Sequence, residues 1–206
     1  MGGDVKKEYR EIGGMPVLAR AILPFLSDAR FGPLAVTVAP GRAAEVEQLL
    51  RPHVSLSSLA LVEGGATRQE SVFLALQALA AHRPRIVLIH DGARPWLSSE
   101  LVDRVVAAVE LYGACVPVIE APEAVKQAGE SGFILRHFRR GAIRFAQTPQ
   151  GFLFDRILAA HEDAQRAGAR CVDDAEVYDL FAGPVASVPG DPANRKITYP
   201  HDLEDA

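Results

Sequence analysis

The sequence predicts an α/β domain with a mostly parallel sheet between layers of helices, and three observations carry that reading. Short apolar runs of strand length alternate with amphipathic helical segments along most of the 206 residues. The run Ile86-Val87-Leu88-Ile89-His90 shows no polar alternation, as expected of a strand buried on both faces. Paired glycines, Gly64-Gly65, stand between a strand end and a helix start, where backbone N–H groups can approach a ligand and the helix terminus favours an anion. Such alternation implies parallel strands joined by right-handed helical crossovers.

Composition limits the function classes. The length suits one domain over 1–206, and the balance of 49% apolar and 23% charged residues is that of an ordinary globular chain. A formal net charge of −4 argues against non-specific nucleic-acid binding, which needs a basic face, while leaving room for a local basic pocket and a small anionic ligand. The two cysteines, Cys115 and Cys171, have no paired spacing and indicate neither a disulfide framework nor a thiolate zinc site. No apolar run reaches the roughly 18 to 20 residues of a membrane span, and the first residues lack a signal-peptide pattern. The expectation is a cytoplasmic enzyme with no nucleic-acid or membrane partner.

In chain order, MGGDVKKEYREIGGMPVL reads as a loop, although an α/β unit normally supplies a strand before such a loop. Lys6 and Lys7 within it suit a solvated pair. Pro16 to Leu26 reads as a helix with Pro16 in its first turn, where a missing N–H costs little. Leu34 to Val38 is a strand, Ala43 to Leu50 a helix, and Leu59 to Val62 a further strand. After Gly64-Gly65, a helix runs to about His82. Thr67 suits its N-cap with Glu70 three positions on, and Arg68 and Ser71 stand at that terminus as candidate anion contacts, which the family resemblance given below turns into nucleotide contacts. The glycine spacing is neither a dinucleotide nor a P-loop fingerprint.

The run Arg85 to Pro95, RIVLIHDGARP, brings Asp91 and Arg94 out at the carboxyl end of a strand, the edge where open α/β sheets bind ligands. A carboxylate and a guanidinium there are candidates for holding a metal and a phosphate together. Asp-Gly is also a turn dipeptide and Pro95 can end a strand, so a plain turn fits the same residues. Ser98 to Tyr112 is an amphipathic helix and Ala114 to Ile119 a buried strand.

From Glu120 to Phe145 the periodicity fails. The segment holds Gly129, Gly132 and Gly141 and five basic residues between Lys126 and Arg144, which suits a protruding hairpin packed on another subunit or a merely solvated loop. Gln147-Thr148-Pro149-Gln150-Gly151-Phe152 precedes a helix to about Ala167, closed by Gly168. Asp173-Asp174 opens a short helix to Phe181 as a cap. Val185 to Val188 is a strand, and the loop from Gly190 to Lys196 leads into a last strand. Lys196 on that loop suits a phosphate, as it also suits any surface.

Five stretches in order, KKEYREIGGMPVLARAI, EGGATRQESV, VLIHDGARP, QTPQGF and NRKIT, followed by Pro200-His201-Asp202-Leu203, resemble one family over essentially the whole chain: 2-C-methyl-D-erythritol 4-phosphate cytidylyltransferase. The resemblance implies a Rossmann-like three-layer α/β sandwich that forms a homodimer through a protruding arm at about 121–146. It implies transfer of cytidylate from CTP to a polyol phosphate with release of pyrophosphate, dependent on Mg²⁺. Carried over by motif, Lys7, Lys196 and Arg140 would serve catalysis, Gly65, Ala66 and Ser71 the nucleotide, and Asp91 the Mg²⁺. Arg94, Thr148 and Lys196 would contact substrate, with Arg140 reaching across from the partner subunit.

The sequence departs from the family pattern at named positions. Lys6 and Glu8 replace a proline and a glutamine, Ala66 stands where many members carry an acid, and Ala124 replaces a threonine of the arm. The family also opens with a strand and a glycine-rich loop ending in an arginine, ahead of the position matching Met1; without them the chain is expected to be inactive. Alternatives are a ribitol-phosphate cytidylyltransferase, an inactive nucleotide-binding remnant, or the first half of a fusion with the cyclodiphosphate synthase of the same pathway.

Overall fold

The computed structural model describes residues 6–203; the loop reading over Met1–Val5 lies outside the described residues. The segment expected to be a plain loop forms a small hairpin, β1 (Glu11–Ile12) and β2 (Met15–Pro16). Gly13 and Gly14, with φ of 55° and 74°, supply the two left-handed residues that such a tight turn requires. There follow α1 (Val17–Leu26), β3 (Leu34–Val38), α2 (Ala43–Leu50), β4 (Leu59–Glu63), α3 (Arg68–Leu79), β5 (Ile86–Ile89) and α4 (Ser99–Tyr112). The second half holds β6 (Ala114–Glu120), β7 (Lys126–Ala128), β8 (Ile134–His137), β9 (Arg144–Ala146), β10 (Gln150–Leu153), α5 (Phe154–Ala167), α6 (Asp174–Phe181) and β11 (Ala186–Pro189).

The main sheet runs β11-β6-β10-β5, with β9 on the far half of β6. Strands β5, β6 and β11 share one direction; β10 lies reversed between β5 and β6. The sequence reading has no β10, because Gln150-Gly151-Phe152-Leu153 is too short and too mixed to show a strand period. The last strand expected near Ile197 does not form. Instead the Ile197 N–H donates to the Ala93 carbonyl at 2.8 Å, and a 3-10 turn over Pro200–Leu203 closes the segment.

Helices cover both faces. Phe152 and Ala114 pack against α3, α5 and α6 through Leu76, Phe154, Ile157, Val177 and Tyr178. On the other face Cys115 and Leu88 meet Phe25 of α1 and Leu101, Val105 and Val109 of α4. A third cluster joins α1 and α2 to β3. Thr67 and Glu70 make the complete capping box that the sequence suggests, and Gly168 ends α5 in the left-handed conformation as expected; Gly113 ends α4 in the same way.

β3 and β4 form a separate parallel pair. Among the described residues no strand pairs with the other edge of β3 or the outer edge of β5. A cavity of about 830 Å³ lies between them, lined by β3, β5, α1 and α3. That cavity leaves every residue of β5 half-buried, where the sequence predicts full burial. Its lining includes His90, Asp91 and Arg68.

The segment from Arg144 to Leu153 runs antiparallel along β6 but does not keep one register. Ala146 faces Val118 whereas Gly151 faces Cys115, so two residues leave the ladder between these pairs. They fall at Thr148-Pro149, and Pro149 has no N–H to give a ladder. Beyond the interruption, Gly151 sits tightly under α4: a Cβ there would lie 2.7 Å from both Val105 Cγ1 and Val109 Cγ2. Gly151→Ala is expected to destabilise the fold by about 1–3 kcal/mol through overpacking, read as a lowered urea midpoint with the slope unchanged.

Candidate active site

Three chain segments meet at the carboxyl end of β5: the turn Asp91–Arg94, the interruption at Thr148, and the loop Gly190–Lys196. Hydrogen bonds tie each to the others, because backbone groups that leave a sheet end need partners elsewhere. The Arg94 N–H donates to the Asp91 carbonyl at 3.0 Å and closes the turn. The Arg94 guanidinium donates to the Asn194 carbonyl at 2.8 Å. The Asn194 amide donates to the Thr148 carbonyl at 2.7 Å, and the Gln147 amide donates to the Asp191 carbonyl at 2.8 Å. Arg94, Gln147, Thr148 and Asn194 are all buried, so these bonds are shielded from water.

Asp91 is the centre of charge. Its Oδ2 lies 3.0 Å from Lys196 Nζ and 3.4 Å from Arg94 Nε, and its Oδ1 lies 3.9 Å from Arg68 Nε. Burial alone would raise this carboxyl; Lys196, Arg68 and Arg94 outweigh it and hold it below the ordinary value of 3.8. Arg68 also reaches the buried Asp174 at 2.7 Å. Three cations thus face Asp91 and Asp174, with Asp173 also acting on Arg68. Lys196 and Arg68 keep 43% and 40% of their side chains exposed, which leaves donors for an anion such as a phosphate.

The structure therefore brings together Asp91, Arg94, Thr148, Lys196 and Arg68. Asp173-Asp174 acts as expected of a cap, since Asp173 accepts the Glu176 N–H at 3.0 Å, but Asp174 has a second role as the partner of Arg68. Gly65, Ala66 and Ser71 shape the neighbouring loop. The Ser71 hydroxyl donates to the Thr67 carbonyl at 2.9 Å and accepts the Gly65 N–H at 3.1 Å, while Glu70 accepts the Ala66 N–H at 2.7 Å. A Cβ at Gly64 would lie 2.7 Å from the Ser71 oxygen, which is why glycine precedes this helix start.

Lys7 and Arg140 stand apart from the cluster. Lys7 lies on the 3-10 turn Lys7–Tyr9, and the cavity wall takes Lys6, Glu8 and Tyr9 from this region. Arg140 is exposed on the arm, where it donates to the Pro122 carbonyl. The arm is the β7–β8 hairpin followed by β9, with Ala124 exposed near its base.

Among the described residues no group of three His, Cys, Asp or Glu side chains could hold a metal. Asp91 supplies one ionised hard oxygen donor. It fits a Mg²⁺ that brings most of its ligands as phosphate oxygens and water, and it does not fit a metal caged by protein alone.

One site residue carries no sequence signal beyond ending an apolar run. His90 makes a 3.1 Å hydrogen bond from Nε2 to the Arg94 carbonyl and a 3.0 Å bond between Nδ1 and the Thr148 hydroxyl. The Thr148 oxygen in turn accepts the Asp91 N–H at 3.0 Å. Burial lowers the imidazole from 6.5 to about 4, so it is neutral at physiological pH. Unfolded, His90 takes a proton below pH 6.5; folded, only below about 4. Its contribution to stability is therefore full above 6.5, falls with pH below that, and is gone by about 4. Asp91 acts only below 3.8 and leaves this window clear. Urea unfolding between pH 7 and pH 4.5 is expected to show a shallower loss of stability in His90→Phe than in the parent chain; an unchanged slope counts against a neutral His90.

The chain is similar to known proteins along its whole length. The family model for IspD, 2-C-methyl-D-erythritol 4-phosphate cytidylyltransferase, matches residues 1–206. The chain is 40% identical over 203 residues to a bifunctional enzyme IspD/IspF of Rhodopseudomonas palustris, covering 98% of this chain and 50% of that protein. It spans about half the length of the bifunctional relatives it matches. It is also 36% identical to the 2-C-methyl-D-erythritol 4-phosphate cytidylyltransferase of Geobacillus kaustophilus, covering 98% of this chain and 88% of that protein. The crystal structure of the Thermus thermophilus cytidylyltransferase superposes with a TM-score of 0.81 at 34% identity, over 97% of this chain and 91% of that one. The chain belongs to the 2-C-methyl-D-erythritol 4-phosphate cytidylyltransferase family.

Proposed function

We propose that the protein transfers cytidylate from CTP to 2-C-methyl-D-erythritol 4-phosphate, releasing pyrophosphate, as a step in making isoprenoid precursors. The observation that carries this reading is the convergence of Lys196, Arg94 and Arg68 on the single ionised carboxylate of Asp91. The reaction joins a phosphomonoester oxygen to the α-phosphorus of a nucleotide and breaks the bond to pyrophosphate. Anion repels anion on approach, and charge gathers on the non-bridging oxygens at the transition state. Positioned cations therefore supply most of the rate, and no protein nucleophile is needed.

Within that scheme Arg94 and Lys196 bind the substrate phosphate, Arg having the planar fork suited to two oxygens at once. Both are already ordered by Asp91 and Asn194, so little reorganisation accompanies binding. Lys7 offsets triphosphate charge, and the Gly65–Ser71 loop receives the cytidine. Asp91 would hold the Mg²⁺, which when bound neutralises phosphate charge. Given CTP and methylerythritol phosphate together, the protein is expected to release pyrophosphate, and Asp91→Asn should reduce kcat/KM by about 10²–10³-fold. Turnover unchanged in Asp91→Asn would remove Asp91 from the machinery.

The protein works, on this reading, as a homodimer through the arm. Phe133, Ile134, Leu135 and Phe145 are exposed at 76%, 49%, 65% and 43% on a segment that has no core of its own. Pairing of two arms covers these side chains and carries Arg140 to the other subunit's pocket. Leu135→Glu is expected to shift the protein from dimer to monomer in sedimentation, and Arg140→Ala to raise KM for the polyol phosphate while leaving the dimer intact. A monomeric parent chain would refute the arm's role.

A further inference from the structure

His90 is a half-buried polar group that the transfer reaction itself does not use. It sits between the two residues that the reaction does use, and its hydrogen-bond partners allow a single order of donors when the imidazole is neutral. The Arg94 carbonyl has no proton, so His90 Nε2 must donate to it. A neutral imidazole carries one proton, which leaves Nδ1 as an acceptor. The Thr148 hydroxyl, 3.0 Å away, must therefore donate to Nδ1. Its oxygen is then free to accept, and the Asp91 N–H donates to it at 3.0 Å. The order of donors runs one way, from the Asp91 amide through Thr148 and His90 to the Arg94 carbonyl, and both ends lie in the same turn.

We propose that His90 is a positioning residue, which acts through the Thr148 hydroxyl and the Arg94 carbonyl to hold the Asp91–Arg94 turn in its anion-binding shape. The inference rests on the reading that Asp91 and Arg94 serve the transfer. It adds a constraint on Thr148: with its only proton committed to His90, this hydroxyl meets substrate as an acceptor, not as a donor to phosphate. The edge of the Phe25 ring against His90, with centroids 5.5 Å apart, and the Arg94 carbonyl keep the imidazole from turning over. The charged groups nearest this network are Asp91 and Arg94 in the turn, with Lys196 and Arg68 beyond Asp91.

Two measurements test the proposal. In the intact protein labelled with ¹⁵N-histidine, His90 is expected as the Nε2–H tautomer with an accepting Nδ1; an Nδ1–H tautomer overturns the proposal. Hydrogen exchange at the Asp91 amide is expected to speed up alike in His90→Phe, Thr148→Val and the double variant; unchanged exchange in His90→Phe overturns it too. Neither readout needs turnover, so they remain decisive if the cytidylyl-transfer reading fails. With CTP and methylerythritol phosphate, each single variant should lose about 10- to 100-fold in kcat/KM, as expected of a displaced binding group. The double variant should fall within about threefold of the weaker single. Losses that multiply would place His90 and Thr148 in separate roles and reject the relay.

Discussion

The carboxylate of Asp91 is the constraint on which the rest of the site depends. It is largely buried, and a buried carboxylate stays ionised only where cations or donors surround it. Here each cation comes from a different part of the chain: Arg94 from the same turn, Arg68 from the start of α3, and Lys196 from the loop after β11. Satisfying one charge therefore fixes the relative placement of three segments that lie far apart in the sequence. Lys196 and Arg68 remain partly exposed beside Asp91, so their remaining donors face outward.

The cluster is held from behind. Asp174 has no exposure and shares Arg68 with Asp91, so Arg68 bridges a fully buried acid and the acid at the end of β5. Removing one partner from such a buried pair leaves an uncompensated charge, which couples the fold to the site. The fold contributes in a second way through the register change along β6. Two residues leave the ladder at Thr148-Pro149, and the released backbone at Thr148 is taken up by Asn194 while its hydroxyl meets Asp91. An irregularity in pairing thus becomes a contact surface, as bulges beside ligand sites commonly do.

Much of this is legible in the sequence where the signal is local. The helices α2, α4, α5 and α6 lie close to where periodicity and caps place them, and Asp91 with Arg94 at a strand end follows from the apolar run before them. The elements that escape a linear reading are short or depend on distant partners. β10 has four residues, one of them Gly151, and it is a strand because β5 and β6 supply its ladder on both sides. The expected last strand fails for the converse reason: Ile197 finds Ala93 but joins no ladder among the described residues. His90 reads only as the end of an apolar run, since a histidine's role lies in its neighbours and none of them is local except Arg94.

By itself the sequence determined the α/β class, the acid and arginine at the end of β5, and the family to which the ordered motifs point. These depend on periodicity and on residues adjacent in the chain, which a linear reading can weigh. Only the tertiary structure decided that Lys196, Arg68 and Arg94 converge on one carboxylate, that Thr148 faces His90, and that Arg68 belongs also to Asp174. The physical reason is that electrostatics and hydrogen bonding act over a few ångströms of space, whereas the groups concerned are as far apart along the chain as Arg68 and Lys196.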